Sequence, residues 1–263
     1  MTTVREPAVA GTFYPNDAAT LSALISTYLE GDAGLDCPKA IIAPHAGYIY
    51  SGAIAGEVYR KLGSAHDRIK RVVLLGPSHR VAFKGMAVPL STSFRTPLGD
   101  IPIDSESIQQ IVGGASVGFL DEAHREEHSL EVHLPFLQHV LDDFTLVPIV
   151  VGDASKEAVA TVLEKLWGGD ETLIVISSDL SHFEAYDTAN SIDANTTRKI
   201  MMLDATLKGN EACGCRPVNG LLHYIKTHHI KTHRLVIETV NVKNSGDTAG
   251  NKGRVVGYGA WQV

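Results

Sequence analysis

The stretch AIIAPHAGYIYSGAIAGEVYRKLGSAHDRIKRVVLLGPSH, residues 40–79, decides the fold class. It opens with an apolar run at 40–43, has small and apolar residues at helical spacing over 51–62, and returns to an apolar run at 71–75. Ser51 is a suitable N-cap for the helix. A strand, a helix and a second strand in this order predict a βαβ unit with a parallel strand pair.

The same alternation continues along the rest of the chain. Patterns typical of helices occur at 18–29, 129–141, 156–167, 188–207 and 218–228, and patterns typical of strands at 144–151, 172–176, 235–242 and 254–260. The Pro-, Gly- and Thr-rich segment 80–104 is expected to form short strands and turns. We therefore expect an α/β fold with a mixed, mostly parallel central sheet and helices on both faces. No linker or repeat is evident, so residues 1–263 are expected to form a single domain.

Composition excludes several classes of protein. The 263 residues are 44% hydrophobic and carry a formal net charge of −7, so neither nucleic acid nor an anionic membrane surface is an expected partner. The N-terminus has no signal-peptide pattern and no apolar run approaches the ~20 residues of a membrane span, which predicts a cytoplasmic protein. Three cysteines are too few for a disulfide framework. No feature indicates an oligomeric state.

Polar side chains follow three of the predicted strands directly. His45 follows the first strand, His79 the second, and Asp179 and His182 the strand at 172–176. Ligands bind outside the carboxyl ends of the strands in open α/β sheets, so these side chains are expected to share one pocket. Imidazoles on neighbouring parallel strands can reach one ion, which favours His45 and His79 as metal ligands over two hydrogen-bonded structural histidines.

A third ligand must come from elsewhere in the chain. Cys213 lies in an Ala–Cys–Gly–Cys turn between two predicted helices, and a site of two His and one Cys suits Zn, Cu or Fe(II). A small buried hydrophobe is the alternative role for this residue. Cys215 competes with Cys213 as the ligand.

Two further positions could carry chemistry. Asp179 could orient His182 and leave its other ring nitrogen for proton transfer, or it could cap a helix. His128 belongs to a dense cluster of Glu and His, where it lines the pocket or lies at the surface, and His133 is expected to be structural. Those two histidines are five residues apart, which does not match the zinc-peptidase spacing.

Six motifs together resemble the Memo family across nearly the whole chain. They are REPAVAGTFYP at 5–15, APHAGYIYSG at 43–52, LGPSH at 75–79, EHSLEVHLPF at 127–136, SSDLSHF at 177–183 and NSGD at 244–247. The resemblance implies a fold similar to that of class III extradiol dioxygenases, which are non-haem iron enzymes. Those enzymes bind Fe(II) with two His and a Glu, whereas Memo-like proteins carry a Cys in place of the Glu. His45, His79 and Cys213 match the family's ligand positions, and Asp179 and His182 its remaining polar pair.

The resemblance also implies two alternative functions. Family members are linked to iron- or copper-dependent redox chemistry, which predicts an oxidoreductase-like metalloprotein that acts on an unidentified small molecule; zinc is a third candidate metal. Animal members are linked to binding phosphotyrosine peptides in the same pocket, which predicts a non-catalytic module for an anionic peptide. Phe13, Tyr50 and His128 are the expected substrate-binding residues in either case.

Overall fold

The computed structural model describes residues 3–34, 37–114, 116–229 and 235–263. Its strands are β1 (Val4–Arg5), β2 (Ala40–Ala43), β3 (Arg71–Pro77), β4 (Met86–Val88), β5 (Ser93–Thr96), β6 (Gly99–Pro102), β7 (Val117–Phe119), β8 (Thr145–Val151), β9 (Thr172–Ser177), β10 (His182–Glu184), β11 (Glu238–Asn244) and β12 (Val255–Gln262).

The α-helices are α1 (Ala18–Tyr28), α2 (Tyr48–Tyr59), α3 (Ser105–Ile111), α4 (Glu122–Arg125), α5 (Leu134–Val140), α6 (Lys156–Leu166), α7 (Tyr186–Met201) and α8 (Cys215–Tyr224). Short 3₁₀ segments lie at Arg60–Ala65, Glu131–His133 and Ser245–Asp247, and a π-helical turn at Ile225–His229 follows α8. Within the described ranges, no helix has the length and apolar character needed to cross a lipid bilayer.

The larger sheet has the strand order β10-β12-β2-β9-β3-β8-β4-β7, and β11 pairs with β12. Its four central strands, β2, β9, β3 and β8, are parallel, whereas β12 pairs antiparallel with β2 and β4 with β8. The central strands are almost wholly buried runs of Ala, Val, Ile and Leu, which is typical of strands covered on both faces. The predicted α/β fold with a mixed sheet is confirmed.

The register aligns three strand ends at one edge of the sheet. Ala43 at the end of β2 lies opposite Ser177 at the end of β9, and Leu75 of β3 lies opposite Ile176. The segments that follow these strands therefore leave the sheet side by side. This alignment is the basis of the site described below.

Helix α2 begins earlier than the sequence indicates. The predicted N-cap Ser51 lies inside the helix, which starts at Tyr48 with Gly47 as its N-cap. The Ser51 hydroxyl donates instead to the carbonyl of Ala46. The expectation for Ser51 was therefore wrong. The true N-cap, Gly47, has no side chain that could cap the helix, so the sequence shows no capping signal there.

The helix predicted over 129–141 is interrupted. Its first part is the 3₁₀ turn Glu131–His133, and α5 follows from Leu134. Pro135 lies in the first turn of α5, where its missing N–H costs nothing. The helix predicted over 188–207 begins at Tyr186 and ends at Met201, and Leu203 beyond it has a left-handed backbone with φ of 54°.

Glu131 anchors the N-terminal segment beside the sheet. Its fully buried carboxylate pairs with Arg5 and accepts hydrogen bonds from the N–H groups of Ala8 and Val9 and from the Tyr14 hydroxyl. A buried carboxylate is stable only when its lone pairs are satisfied in this way. The contact fixes the path of the segment that carries Phe13.

Candidate metal centre

His45 lies in the turn after β2 and is 1% exposed. The Ser177 hydroxyl donates to the carbonyl of Ser129 at 2.6 Å, so its oxygen is free to accept from Nδ1–H of His45 at 2.5 Å. This arrangement leaves Nε2 of His45 unprotonated. Burial and the neighbouring imidazoles hold the pKa of His45 well below its usual value, so the ring is neutral and can act as a ligand.

His79 lies just after β3, with its ring held by a buried carboxylate. Its Nδ1–H donates to Oε1 of Glu127 at 2.9 Å, and its backbone N–H donates to Oε2 of the same residue. Burial alone would raise the pKa of Glu127, but the hydrogen bonds from His79 and from the Ser129 N–H outweigh it and lower that pKa to about 2. A carboxylate that holds Nδ1 of a histidine leaves Nε2 free for a metal, as is usual at metal sites.

His128 completes a group of three imidazoles. The structure brings ligand atoms of His45, His79 and His128 within 4.8 Å of one another. The rings of His79 and His128 are stacked at 4.7 Å, and the ring of His45 stands edge-on to both. Burial lowers the pKa of His128 to about 4, and its buried Nδ1 has no hydrogen-bond partner within the described part of the chain. Three imidazoles therefore lie around one point.

Cys213 stands beside this group, in the loop between α7 and α8. Its Sγ is 3.3 Å from Nε2 of His45 and 3.3 Å from the backbone N of Asp179. Burial raises the pKa of the Cys213 thiol, and the Asp179 carboxylate raises it further. Cys215, the competing ligand in the sequence, is the first residue of α8 and lines one cavity together with Cys213.

Gly214 allows the Cys213 loop to approach the sheet edge closely. A Cβ at this position would lie 2.4 Å from the carbonyl oxygen of Ser177 and 2.6 Å from Cβ of Ser178. No side chain fits in that space, which explains the glycine next to the thiol.

Asp179 and His182 are both close to the site, but they do not hold each other as expected. The Asp179 carboxylate accepts from the backbone N–H of His45 at 2.8 Å, whereas Nδ1–H of His182 donates to the carbonyl of Leu180 at 2.9 Å. Leu180, not Asp179, therefore fixes the His182 ring, and Nε2 takes no part in that contact. Burial raises the pKa of Asp179, although backbone N–H groups of His45 and Ala46 oppose the shift.

A cavity of about 430 Å³ opens next to the imidazoles. Phe13, Tyr50 and His128, the residues expected to bind substrate, all line it. Asp179 and His182 line it as well, together with Arg254, whose guanidinium is 5.1 Å from the ring of Phe183. Five of the sequence-predicted site residues thus line one cavity.

Three contributors to the site were missed from the sequence: Ser177, Glu127 and Arg254. In the sequence, Ser177 and Glu127 stand only as polar neighbours of Asp179 and His128. Their partners are 132 and 48 residues away, respectively, a separation that no local pattern reveals. Arg254 precedes the last strand and carries no motif of its own.

The donor atoms present fit a transition-metal ion. Three imidazoles and a thiol are the ligand types of Zn, Cu and Fe(II) sites. Two of the rings are oriented by the hydrogen bonds that they donate to Ser177 and Glu127, as outer partners do at known metal sites. A possible metal site is therefore present, and its geometry does not identify the metal.

Comparison with known proteins gives one consistent family. The family model described as "Memo-like protein" matches residues 5–262. A MEMO1 family protein of Aquifex aeolicus is 36% identical, with 97% of each chain covered. MEMO1 family proteins of Metallosphaera sedula and Saccharolobus islandicus are 33% and 35% identical, again with 97% of each chain covered.

One solved structure supports the fold independently of sequence. It is the crystal structure of an uncharacterized protein from Escherichia coli K12, with a TM-score of 0.54 and 13% sequence identity. The match covers 85% of this chain and 99% of the other. At this identity the likeness concerns the fold alone.

Proposed function

The chain belongs to the Memo family, and we propose that it binds iron(II) or copper through His45, His79 and Cys213 and uses the ion for redox or oxygen chemistry on a small molecule. The observation that carries this proposal is the position of His45. Its unprotonated Nε2 lies 3.3 Å from the Cys213 sulfur, and a ligand atom of its ring lies within 4.8 Å of one on His79. Zinc fits the same donors but would supply no redox chemistry.

A bound iron or copper ion would supply one-electron chemistry and open coordination positions. The protein would supply the side chains that bind the molecule and accept its proton. The ring of His182 lines the cavity, and its Nε2 takes no part in the bond to Leu180, so this nitrogen is the one that would accept a proton from a bound molecule. Phe13 and Tyr50 offer aromatic walls to that molecule, and the burial of His45 keeps water from one side of the ion.

The proposal is tested by the metal content of protein purified without oxygen and loaded separately with iron(II) and copper(I). Wild type should bind close to one ion per chain, and His45→Ala and Cys213→Ala should each bind far less. His66→Ala and Cys37→Ala are matched controls, since His66 pairs with Asp142 and Cys37 bonds to Pro38 outside the described site. Equal uptake by wild type and the His45→Ala, Cys213→Ala double variant would show that these residues hold no metal.

His128 is the competing third ligand, because it belongs to the group of three imidazoles and Cys213 does not. We propose that His128 instead faces the bound molecule from the cavity wall. In that case His128→Gln should keep the metal and weaken the binding of small molecules. Loss of metal in His128→Gln with normal content in Cys213→Ala would reverse the two roles.

The role of His182 is tested separately, once a reaction has been found by screening catechols and thiols with metal-loaded protein. General acid–base groups contribute about 10²–10⁴-fold in rate. His182→Ala should therefore lose turnover by that order and keep its metal. Loss of both would place His182 among the metal ligands.

Recognition of an anionic peptide is the second candidate function, and Arg254 is the observation that favours it. Its side chain lines the same cavity as Tyr50 and His182, so a phosphate or carboxylate could pair with it there. Calorimetry with phosphotyrosine and a phosphotyrosine peptide, on wild type and Arg254→Ala, tests this function. Binding that depends on Arg254, combined with no oxygen consumption under either metal, would favour the binding module over the enzyme.

A further inference from the structure

A second cavity, of about 600 Å³, has Cys213 and Cys215 in its wall. It shares no lining residue with the cavity of Phe13 and Tyr50. Its walls come from the ends of β3 and β8, the segment before α8, and the first residues of α6 and α8. Of its lining residues, Cys213 alone takes part in the proposed function.

The wall of this cavity is cationic, although the chain as a whole is acidic. Lys156, Lys208 and Arg216 line it against one carboxylate, that of Asp153, which is a net charge of +2 in a chain of −7. A concave surface lined by one sign of charge concentrates the opposite ion. The cavity is therefore suited to an anion.

Hydrogen bonds hold two of the cations in place. The Arg216 guanidinium donates to the carbonyl of Ala154 at 3.1 Å and pairs with Asp153 at 2.7 Å. The Lys156 ammonium donates to the carbonyl of Ala205 at 3.3 Å, which leaves its other protons available. An ordered cation binds an anion with a smaller loss of side-chain entropy than a freely moving one.

Hydrogen bonds also fix the backbone next to Lys208. The Asn219 side chain of α8 accepts from the N–H of Leu207 and donates to its carbonyl, both at 2.9 Å. The Lys208 N–H donates to Glu211 at 3.0 Å. The Lys208 side chain therefore lines the cavity from a backbone segment that hydrogen bonds hold in place.

Two helices also begin in the cavity wall. The first residues of α6 and α8, Lys156 and Cys215, both line it, and the N-cap Ser155 does so as well. The N-terminus of a helix carries a partial positive charge, which favours phosphate. The helix ends and the three cations act on the same space.

We propose that this second cavity binds the phosphate group of a small phosphorylated molecule. Phosphate fits better than a single carboxylate because its oxygens can engage the Arg216 guanidinium and the two Lys ammonium groups together. A ligand in this position would cover the Cys215 thiol. It would also lie against Cys213, so it would reach the candidate metal centre from a side that the first cavity does not use.

Calorimetry on the metal-free full chain tests the site, with inorganic phosphate and pyrophosphate as probes and succinate as the carboxylate control. Phosphate and pyrophosphate should bind more tightly than succinate, and more weakly as salt is raised. Lys156→Ala and Lys208→Ala should each weaken binding about tenfold, the usual effect of losing one charge-assisted hydrogen bond. Lys165→Ala, in the last turn of the same helix α6, is the matched control and should leave binding unchanged.

Alkylation of Cys215 gives an independent readout. Phosphate should slow the reaction of Cys215 with iodoacetamide, followed by peptide mass spectrometry, and leave the rate at Cys37 unchanged. The inference is overturned if none of the anions binds, or if the Lys156 and Lys208 variants bind phosphate as wild type does. It is also overturned if Arg254→Ala alone abolishes binding, since the anion would then occupy the first cavity.

Discussion

In two of the histidines that follow strands, a hydrogen bond donated to one other residue determines which ring nitrogen carries the proton. Ser177 accepts from Nδ1–H of His45, and Glu127 accepts from Nδ1–H of His79. Both rings therefore offer Nε2. The choice of tautomer is set by residues that would not touch the ion themselves, which is common at metal sites.

Glu127→Gln tests this outer contact directly. The amide keeps the shape of the side chain but removes the charge that holds the His79 ring, so metal affinity should fall about 10–100-fold. Competition with a chromophoric chelator measures the change. Glu126→Gln, at the adjacent exposed position, should bind metal as wild type does. Equal affinities for the two variants would contradict the role of Glu127.

Gly214 sets the approach of Cys213 to His45. In Gly214→Ala, the added methyl group would meet Ser177 and Ser178, so the loop must move away and carry the thiol with it. Metal content should drop although the protein still folds, as circular dichroism would show. Gly209→Ala in the same loop, with no atom within 4 Å of the new Cβ, is the control. A variant at Gly214 that kept full metal content would contradict this role.

At the scale of secondary-structure elements, the packing of α8 on α6 positions the Cys213 loop. Gly220 of α8 lies directly on Val159 of α6, and a Cβ there would be 2.2 Å from a Val159 methyl carbon. The two helices therefore approach as closely as a glycine permits. The loop with Cys213 and the start of the cationic cavity both depend on this contact.

Gly220→Ala should destabilise the protein even though alanine is the better helix former. Overpacking of a buried contact costs about 1–3 kcal/mol, more than the ~1 kcal/mol gained in helix propensity. Urea unfolding measures the loss. Adding Val159→Ala makes room for the new methyl group, so the double variant should be more stable than the sum of the two single changes predicts. Strict additivity would show that the two positions do not compete for space.

The whole molecule keeps neutral histidines in its interior, which makes its stability depend on pH. Burial lowers the pKa of His124 to about 4 and that of His133 to about 3, whereas both return to about 6.5 when the chain unfolds. Between these values the unfolded chain binds more protons than the folded one. The free energy of unfolding is therefore highest above pH 6.5 and falls as the pH drops toward 4.

Each such histidine contributes a slope of up to about 1.4 kcal/mol per pH unit in that window. His124→Gln should lose its share, so its stability should fall less steeply between pH 6.5 and 4 than that of wild type. Urea unfolding at a series of pH values measures both slopes. His66→Gln, at a half-exposed surface position, should keep the wild-type slope. An unchanged slope in His124→Gln would mean that this histidine is protonated in the folded state.

The sequence predicts the fold and the position of the site better than it predicts the hydrogen bonds within the site. Apolar runs that end at His45, His79 and Asp179 were sufficient to predict parallel strands with one shared edge. The contacts of Glu127 and Ser177 join segments distant in the sequence, and no local periodicity reports them. The expected contact between Asp179 and His182 was wrong. The two residues are close in the sequence, which suggested that they pair, but in the turn after β9 the His182 ring bonds to the carbonyl of Leu180 instead.

We propose that His45, His79 and Cys213 hold one redox-active metal ion. X-ray absorption of the copper- or iron-loaded protein is the decisive test, because it reports the ligand atoms and not only the uptake of metal. We expect nitrogen scatterers at about 2.0–2.1 Å and one sulfur scatterer at about 2.3 Å, as in other imidazole–thiolate sites. The sulfur contribution should disappear in Cys213→Ser and persist in Cys215→Ser. A spectrum of nitrogen and oxygen ligands alone in the wild type would contradict the account and favour His45, His79 and His128.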